Sequence, residues 1–171
     1  FKTSKTRFPW LFINLLTAVV ASFVIALFED QIARLVVLAV LMPIIASMGG
    51  NAGMQSLTVA VRGLALKQLT LKNATQLLWK ELKVGGFNGL LLAIILGLGV
   101  LIVYGDFPLA AVIWVATVAN HFLAALSGIL IPVFLEKHGK DPAISGSILL
   151  TTVTDVGGFF IFLSLATIFL L

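Results

Sequence analysis

Asp155 is the one acid deep inside an apolar segment, in the run ISGSILLTTVTDVGGFFIFLSLATIFLL. Counted from Pro142, it lies about 20 Å along a helix, close to the middle of a bilayer. An ionised carboxylate there costs at least ~2.5–3.5 kcal/mol, so it needs a partner, a cavity or an ion path. No Lys or Arg sits in the membrane core to neutralise it. The competing reading is a buried Asp hydrogen-bonded to a neighbouring helix. Ser147, Thr151 and Asp155 fall at i, i+4 and i+8 and so form one stripe on a helix. Hydroxyls in such places bond back to their own helix or line a wet path. The lone carboxylate favours the wet path, and Gly157 and Gly158 beside it allow another chain segment to come close.

A second group sits in LMPIIASMGGNAGMQS, residues 41–56, where Ser47, Asn51 and Gln55 stack at the same spacing. Gly49, Gly50 and Gly53 each weaken a helix by up to ~1 kcal/mol relative to Ala. Pro43 removes a backbone donor and favours a kink. Two readings stand on the residues alone. One is close packing of helices through small residues. The other is a bend or partial unwinding that turns carbonyls and the Asn51 amide toward water or an ion.

Other polar residues read as structural. Gly85, Gly89, Ala93 and Gly97 form a small-residue row that predicts packing, with Asn88 beside it expected to hydrogen-bond a neighbouring helix. Thr117, Asn120, His121 and Ser127 share one segment. A metal site needs clustered ligands, and with no second His or Cys in the membrane His121 is expected to be a satisfied structural residue. Asn14 is expected to pack internally. The chain holds no Ser–His–Asp set, no His–Glu–x–x–His and no phosphate-cradling loop, so nothing points to an enzyme.

The elements that must position these residues follow from composition. Of 171 residues, 60% are hydrophobic and 11% charged, against roughly a quarter charged in soluble domains. Mean hydropathy is +1.16. This is an all-α membrane protein by expectation. About 20 apolar residues cross a bilayer, and five segments qualify, near 9–28, 32–62, 84–105, 108–135 and 142–171. The second is long enough to tilt or break. EDQ, KQLTLKNATQ, YGDFP and EKHGKDP separate the segments, and Pro9, Pro108 and Pro142 suit first helical turns. The first run is too long for a leader's apolar region and lacks a small-residue cleavage site. The net charge of +4 has no basic tract of the nucleic-acid-binding kind.

Cations gather on one side. Lys2, Lys5 and Arg7, then Arg62, Lys67, Lys72, Lys80 and Lys83, then Lys137 and Lys140 alternate with the acidic connections holding Glu29, Asp30 and Asp106, where Arg34 is the one cation. The positive-inside rule puts the amino terminus in the cytoplasm and the carboxyl terminus outside. Residues 66–83 are expected to be the cytoplasmic extension of the third span, with an amphipathic surface helix as the alternative.

Oxygen donors without thiolates or paired imidazoles favour a hard cation. One carboxylate does not neutralise a divalent ion, but two copies of Asp155 about a dimer axis do, and two-fold symmetry is the commonest arrangement. Magnesium, which sheds water reluctantly, suits a wide path lined by hydroxyls and amides.

PIIASMGGNAGMQSLTVAVRGLA (43–65) and DPAISGSILLTTVTDVGGFFIF (141–162) resemble the MgtE family of magnesium channels, and the resemblance runs over the whole chain. It implies a homodimer in which spans two and five of both copies line a central path for Mg2+. Asp155 matches the family's pore aspartate, holding magnesium mainly through its water shell. Asn51 and its glycines, Gly50 among them, match the pore segment of span two. Ser147 and Thr151 match the face on the cytoplasmic side of the aspartate. The expected pore lining is therefore Ser47, Gly50, Asn51, Gln55, Ser147, Thr151 and Thr154, with Asp155 as the metal-holding residue. Typical members carry a magnesium-sensing cytoplasmic domain with paired CBS modules before the first span. This chain begins at FKTSKTRFPWL, so residues 1–171 are expected to be one transmembrane pore domain without it. Glu81, Glu136 and Asp141 are the acids left for any sensing in the cytoplasmic loops. The expected activity is passive conduction of hydrated magnesium through a multi-pass protein of the cell membrane. A coupled divalent-cation carrier is the nearest alternative, and a non-transporting scaffold a third. The lipid bilayer and a second copy are the expected partners, with no nucleic acid.

Overall fold

The computed structural model describes the backbone of residues 2–70 and 72–171 and the side chains of residues 8–70 and 72–171. Lys2, Lys5 and Arg7, counted in the charge asymmetry, have side chains outside the described residues. Six helices follow one another: α1 (Lys2–Ala26), α2 (Glu29–Arg34), α3 (Val37–Ala65), α4 (Ala74–Tyr104), α5 (Phe107–Lys137) and α6 (Pro142–Leu170). Among the described residues, all but α2 are long and apolar enough to cross a membrane, which gives five candidate spans.

The connections carry the signals expected of them. Gly105, at φ 66°, ends α4 in a left-handed turn that suits glycine. Asp106 then caps α5 by accepting a hydrogen bond from the Leu109 amide at 2.9 Å. Asp141 caps α6 through the Ala143 amide at 2.8 Å, with Pro142 in the first turn. Two boundaries differ from expectation. The second segment breaks at Leu35–Val36, leaving Glu29–Arg34 as a helix where a plain connection was expected. Pro9 lies inside α1, which starts seven residues before it.

α5 is the centre of the bundle and packs against α3, α4 and α6, while α1 lies outside, mainly against α6. Neighbouring residues give the directions. Gly49 meets Asn120 and Gly53 meets Gly128, so α3 and α5 run parallel. Gly50 faces Thr154, Gly53 faces Leu150 and Leu57 faces Gly146, so α6 runs antiparallel to α3. Gly85, Gly89 and Gly97 all press on α5, at Ala125, His121 and Ala110, as the small-residue row predicts.

The interior divides into three levels. A large apolar cluster fills one end, with Leu38, Leu41, Met42 and Ile45 of α3 against Ile113 of α5 and Phe162, Leu163 and Ala166 of α6. A small one closes the other end around Ala60, Leu69 and Ile129. Between them is a waist built on glycine, where Gly49, Gly53, Gly128 and Gly158 admit side chains or backbone from neighbouring helices. A methyl group at Gly128 would stand 2.8 Å from the Gly53 carbonyl oxygen, so no larger residue fits without moving a helix.

α3 runs unbroken through Pro43 and GGNAG. Of the two readings of this stretch, close packing holds and the bend or partial unwinding does not. With no water to accept freed carbonyls, a helix at this depth keeps its own bonds, and the glycines serve packing. Residues 66–70, 72 and 73 lie outside helices, and α4 starts at Ala74. Leu69 is buried and Leu77 and Leu78 pack on it, so they face the bundle instead of a membrane surface.

Candidate functional site

Asn51 stands at the middle of α3 and Asp155 near the middle of α6. Each belongs to a row that runs beside a buried one. On α6 the buried row is Gly146, Leu150, Thr154 and Gly158; the row next to it, Ser147, Thr151 and Asp155, is half-exposed. On α3 the buried residues Ile45, Gly49, Gly53 and Leu57 face inward, whereas Ser47, Asn51 and Gln55 are exposed. The polar row of each helix is thus left uncovered by the chain's own packing.

Among the described residues, Asp155 has neither an ion-pair nor a hydrogen-bond partner. The hydroxyls beside it are engaged with their own helix: Thr151 Oγ1 donates to the Ser147 and Ile148 carbonyls, both at 3.1 Å, and Ser147 Oγ donates to Ile144 at 3.1 Å. Thr154 is placed differently from its expected role. It is fully buried, donates to the Leu150 and Thr151 carbonyls at 3.1 Å, and faces Gly50, which brings α3 and α6 together at the level of Asp155. Gly50 and Thr154 form this contact, and the open rows are Ser47–Asn51–Gln55 and Ser147–Thr151–Asp155.

Within one chain these rows lie along different grooves. Ser147 and Thr151 line a groove of about 850 Å³ with Met54 of α3 and Trp10, Leu11 and Asn14 of α1. Asn51 and Gln55 line another, of about 770 Å³, with Ser56, Glu81, Asn88 and His121. Asn14 and Asn88 were expected to pack or bond internally, yet both are exposed in these grooves. His121 is structural as expected: buried against Gly89, with Nδ1 hydrogen-bonded to the Thr117 carbonyl at 2.8 Å. Glu81 is part of α4, not of a loop, and accepts a hydrogen bond from buried Ser56 at 2.8 Å. Asp141 is used as the cap of α6, and Glu136 is exposed at the end of α5.

Asn120 is the residue that sequence reasoning undervalued. It is buried, donates from Nδ2 to the Ile45 carbonyl at 2.9 Å, and fills the space above Gly49 on α3 and Gly158 on α6. Its Oδ1 is buried without a partner. One side chain therefore ties together the two helices that carry the polar rows. The signal available was an amide in a span, but the two glycines that make room for it are distant in sequence.

The family profile for MgtE, divalent cation transporter, matches residues 42–165, from the second turn of α3 into the last turns of α6. The chain belongs to the MgtE family. It is 32% identical over 164 residues to a protein named magnesium transporter MgtE from Bacillus subtilis, covering 96% of this chain and 36% of that protein. To the protein of the same name from Enterococcus faecalis it is 34% identical over 173 residues, 99% of this chain and 37% of the relative. To that from Thermus thermophilus it is 36% identical over 164 residues, 96% and 36%. The chain spans about a third of the length of these MgtE relatives. Membership in this transporter family, together with five candidate spans, makes it a multi-pass membrane protein and not an enzyme.

Proposed function

We propose that this chain is the pore-forming part of a passive magnesium channel of the cell membrane, working as a dimer, with its amino terminus in the cytoplasm and its carboxyl terminus outside. The observation that carries the reading is the pair of uncovered polar rows at mid-helix depth, one ending on an acid without a partner among the described residues. Lipid is a poor neighbour for either row. A second copy resolves this by apposing α3 and α6 of both chains around a water-filled path, with two Asp155 carboxylates facing one cation. Two charges match a divalent ion. Magnesium keeps most of its water, so the carboxylates and the oxygens of the polar rows act through that shell, and conduction needs binding weak enough to release the ion. Family membership and the names of the relatives support magnesium as the cargo.

The test is magnesium flux into proteoliposomes by wild type and Asp155→Asn, with dimer content measured alongside. Asp155→Asn keeps size and hydrogen bonding but removes both charges. We expect flux and discrimination against monovalent ions each to fall at least about tenfold, the equivalent of 1.4 kcal/mol. Equal flux and selectivity in the variant would make Asp155 structural and defeat the pore model. Wild-type uptake that requires a sodium or proton gradient would replace the channel with a coupled carrier. No uptake by the purified chain would leave it a scaffold.

A further inference from the structure

A third concavity lies away from both polar rows, where α3 ends and α4 begins. It holds about 470 Å³ and is lined by Arg62, Lys80, Gln68, Gln76 and Asn73 over an apolar floor that includes Leu69 and Leu77. We propose that this pocket binds a phosphate group, supplied by the headgroup of an anionic glycerophospholipid.

The pocket is built, not merely a place where side chains drift together. The Gly63 carbonyl accepts hydrogen bonds from the amides of both Gln68 and Leu69 at 2.9 Å, folding the chain back on itself after α3. Leu69 is buried and anchors the turn against Ala60 and Ile129. Asn73 locks its far side, with Oδ1 accepting from the Thr70 amide at 2.7 Å and Nδ2 donating to the Gln68 carbonyl at 2.8 Å. The turn fixes the positions from which Gln68, Gln76, Arg62 and Lys80 reach the cavity.

Its chemistry has one sign. Among the described residues, two cations and three primary amides line it and no acid does. Among the described residues neither Arg62 nor Lys80 is in an ion pair, and Glu81, next in sequence to Lys80, is turned to Ser56. A guanidinium presents two parallel donors that match phosphate oxygens, and an ammonium adds a point charge. Position favours a lipid over free phosphate. The ends of two spans place the pocket at the edge of the hydrocarbon, where headgroup phosphates are concentrated. Trp79 and Leu66 are exposed beside it, and Trp is enriched at that level of a bilayer. The apolar floor suits the start of the acyl chains, which free phosphate lacks. None of this involves the ion path, so either proposal can fail without the other.

The experiment follows thermal unfolding of the purified chain in a non-ionic detergent. Equal concentrations of dihexanoyl-phosphatidylglycerol, dihexanoyl-phosphatidylcholine or inorganic phosphate are added. Phosphatidylglycerol should raise the midpoint by several degrees, as a ligand selective for the folded state does, and phosphatidylcholine by less than a third of that. Arg62→Gln/Lys80→Gln should abolish the difference between the two lipids, while Lys137→Gln/Lys140→Gln, altering exposed cations of another turn, should preserve it. Gln76→Glu places a negative charge in the pocket without touching either cation and should also abolish it; that variant decides the matter if the double one fails to fold. A phosphatidylglycerol effect that survives in Gln76→Glu, or is lost equally in the Lys137/Lys140 variant, overturns the site. An effect of inorganic phosphate as large as that of phosphatidylglycerol overturns the lipid as its source.

Discussion

Asn120 and Asp155 are both polar residues in the middle of apolar helices, and the structure gives them opposite consequences for stability. Asn120 is engaged: its amide holds the Ile45 carbonyl and its bulk fills the gap between Gly49 and Gly158. Asn120→Ala removes the bond and leaves a void, which should lower unfolding stability by about 1–3 kcal/mol, a loss of several degrees in the unfolding midpoint in detergent. Asp155, with no partner among the described residues, contributes no packing that Asn would lose. Asp155→Asn should leave that midpoint unchanged or raised while flux falls, the pattern of a residue kept for function at some cost in stability. Sequence alone separated Asp155, because an acid in a span that holds no cation must turn to water or to an ion. It did not separate Asn120 from Asn14 and Asn88. All three are lone amides in apolar runs, and only spatial neighbours show that the first is buried and the others open on grooves.

The helices show where local preference yields to surroundings. Pro43 and three glycines read as a weak point in span two, yet α3 is continuous. Helix propensity is measured against a chain that water will solvate, and that competitor is missing in hydrocarbon. The same glycines predict sharp differences between substitutions. Gly53→Ala would put a methyl group 2.8 Å from Leu150 Cδ1, and Gly128→Ala would put one against backbone, which yields less than a leucine. Costs of about 1–3 kcal/mol are expected, larger at Gly128. Gly99 has nothing within 4 Å of the added methyl, so Gly99→Ala should gain up to about 1 kcal/mol through helix propensity alone. Unfolding midpoints of the three variants, compared in one detergent, check the order. Span number and most boundaries were legible because apolar length and capping residues are local signals. The break at Leu35–Val36 was not, since no Gly or Pro marks it.

At the scale of the molecule, the dimer and its sidedness are open to direct measurement. The chain has no Cys, so a single introduced thiol reports without interference. Asn51→Cys, on the uncovered row of α3, should be joined between copies by a short thiol-specific cross-linker in membranes; Ile102→Cys, highly exposed near the end of α4, should not. Cross-linking at the second position alone would put the interface on the wrong face. A reporter fused after Leu171 should be active only outside the cytoplasm. The placement of α1 carries a different consequence, for how the chain is made. Over Phe8–Ala26 α1 is nearly all exposed, and its main contact is with α6, the helix farthest from it in this sequence. Phe28, between α1 and α2, meets Phe160 edge-on, with ring centres 6.1 Å apart, across most of the sequence. α1 therefore stands beside lipid, with Asn14 uncovered, until α6 has been made. Docking of α1 waits on α6, and a ribosome stalled before α6 emerges holds α1 with its main partner missing.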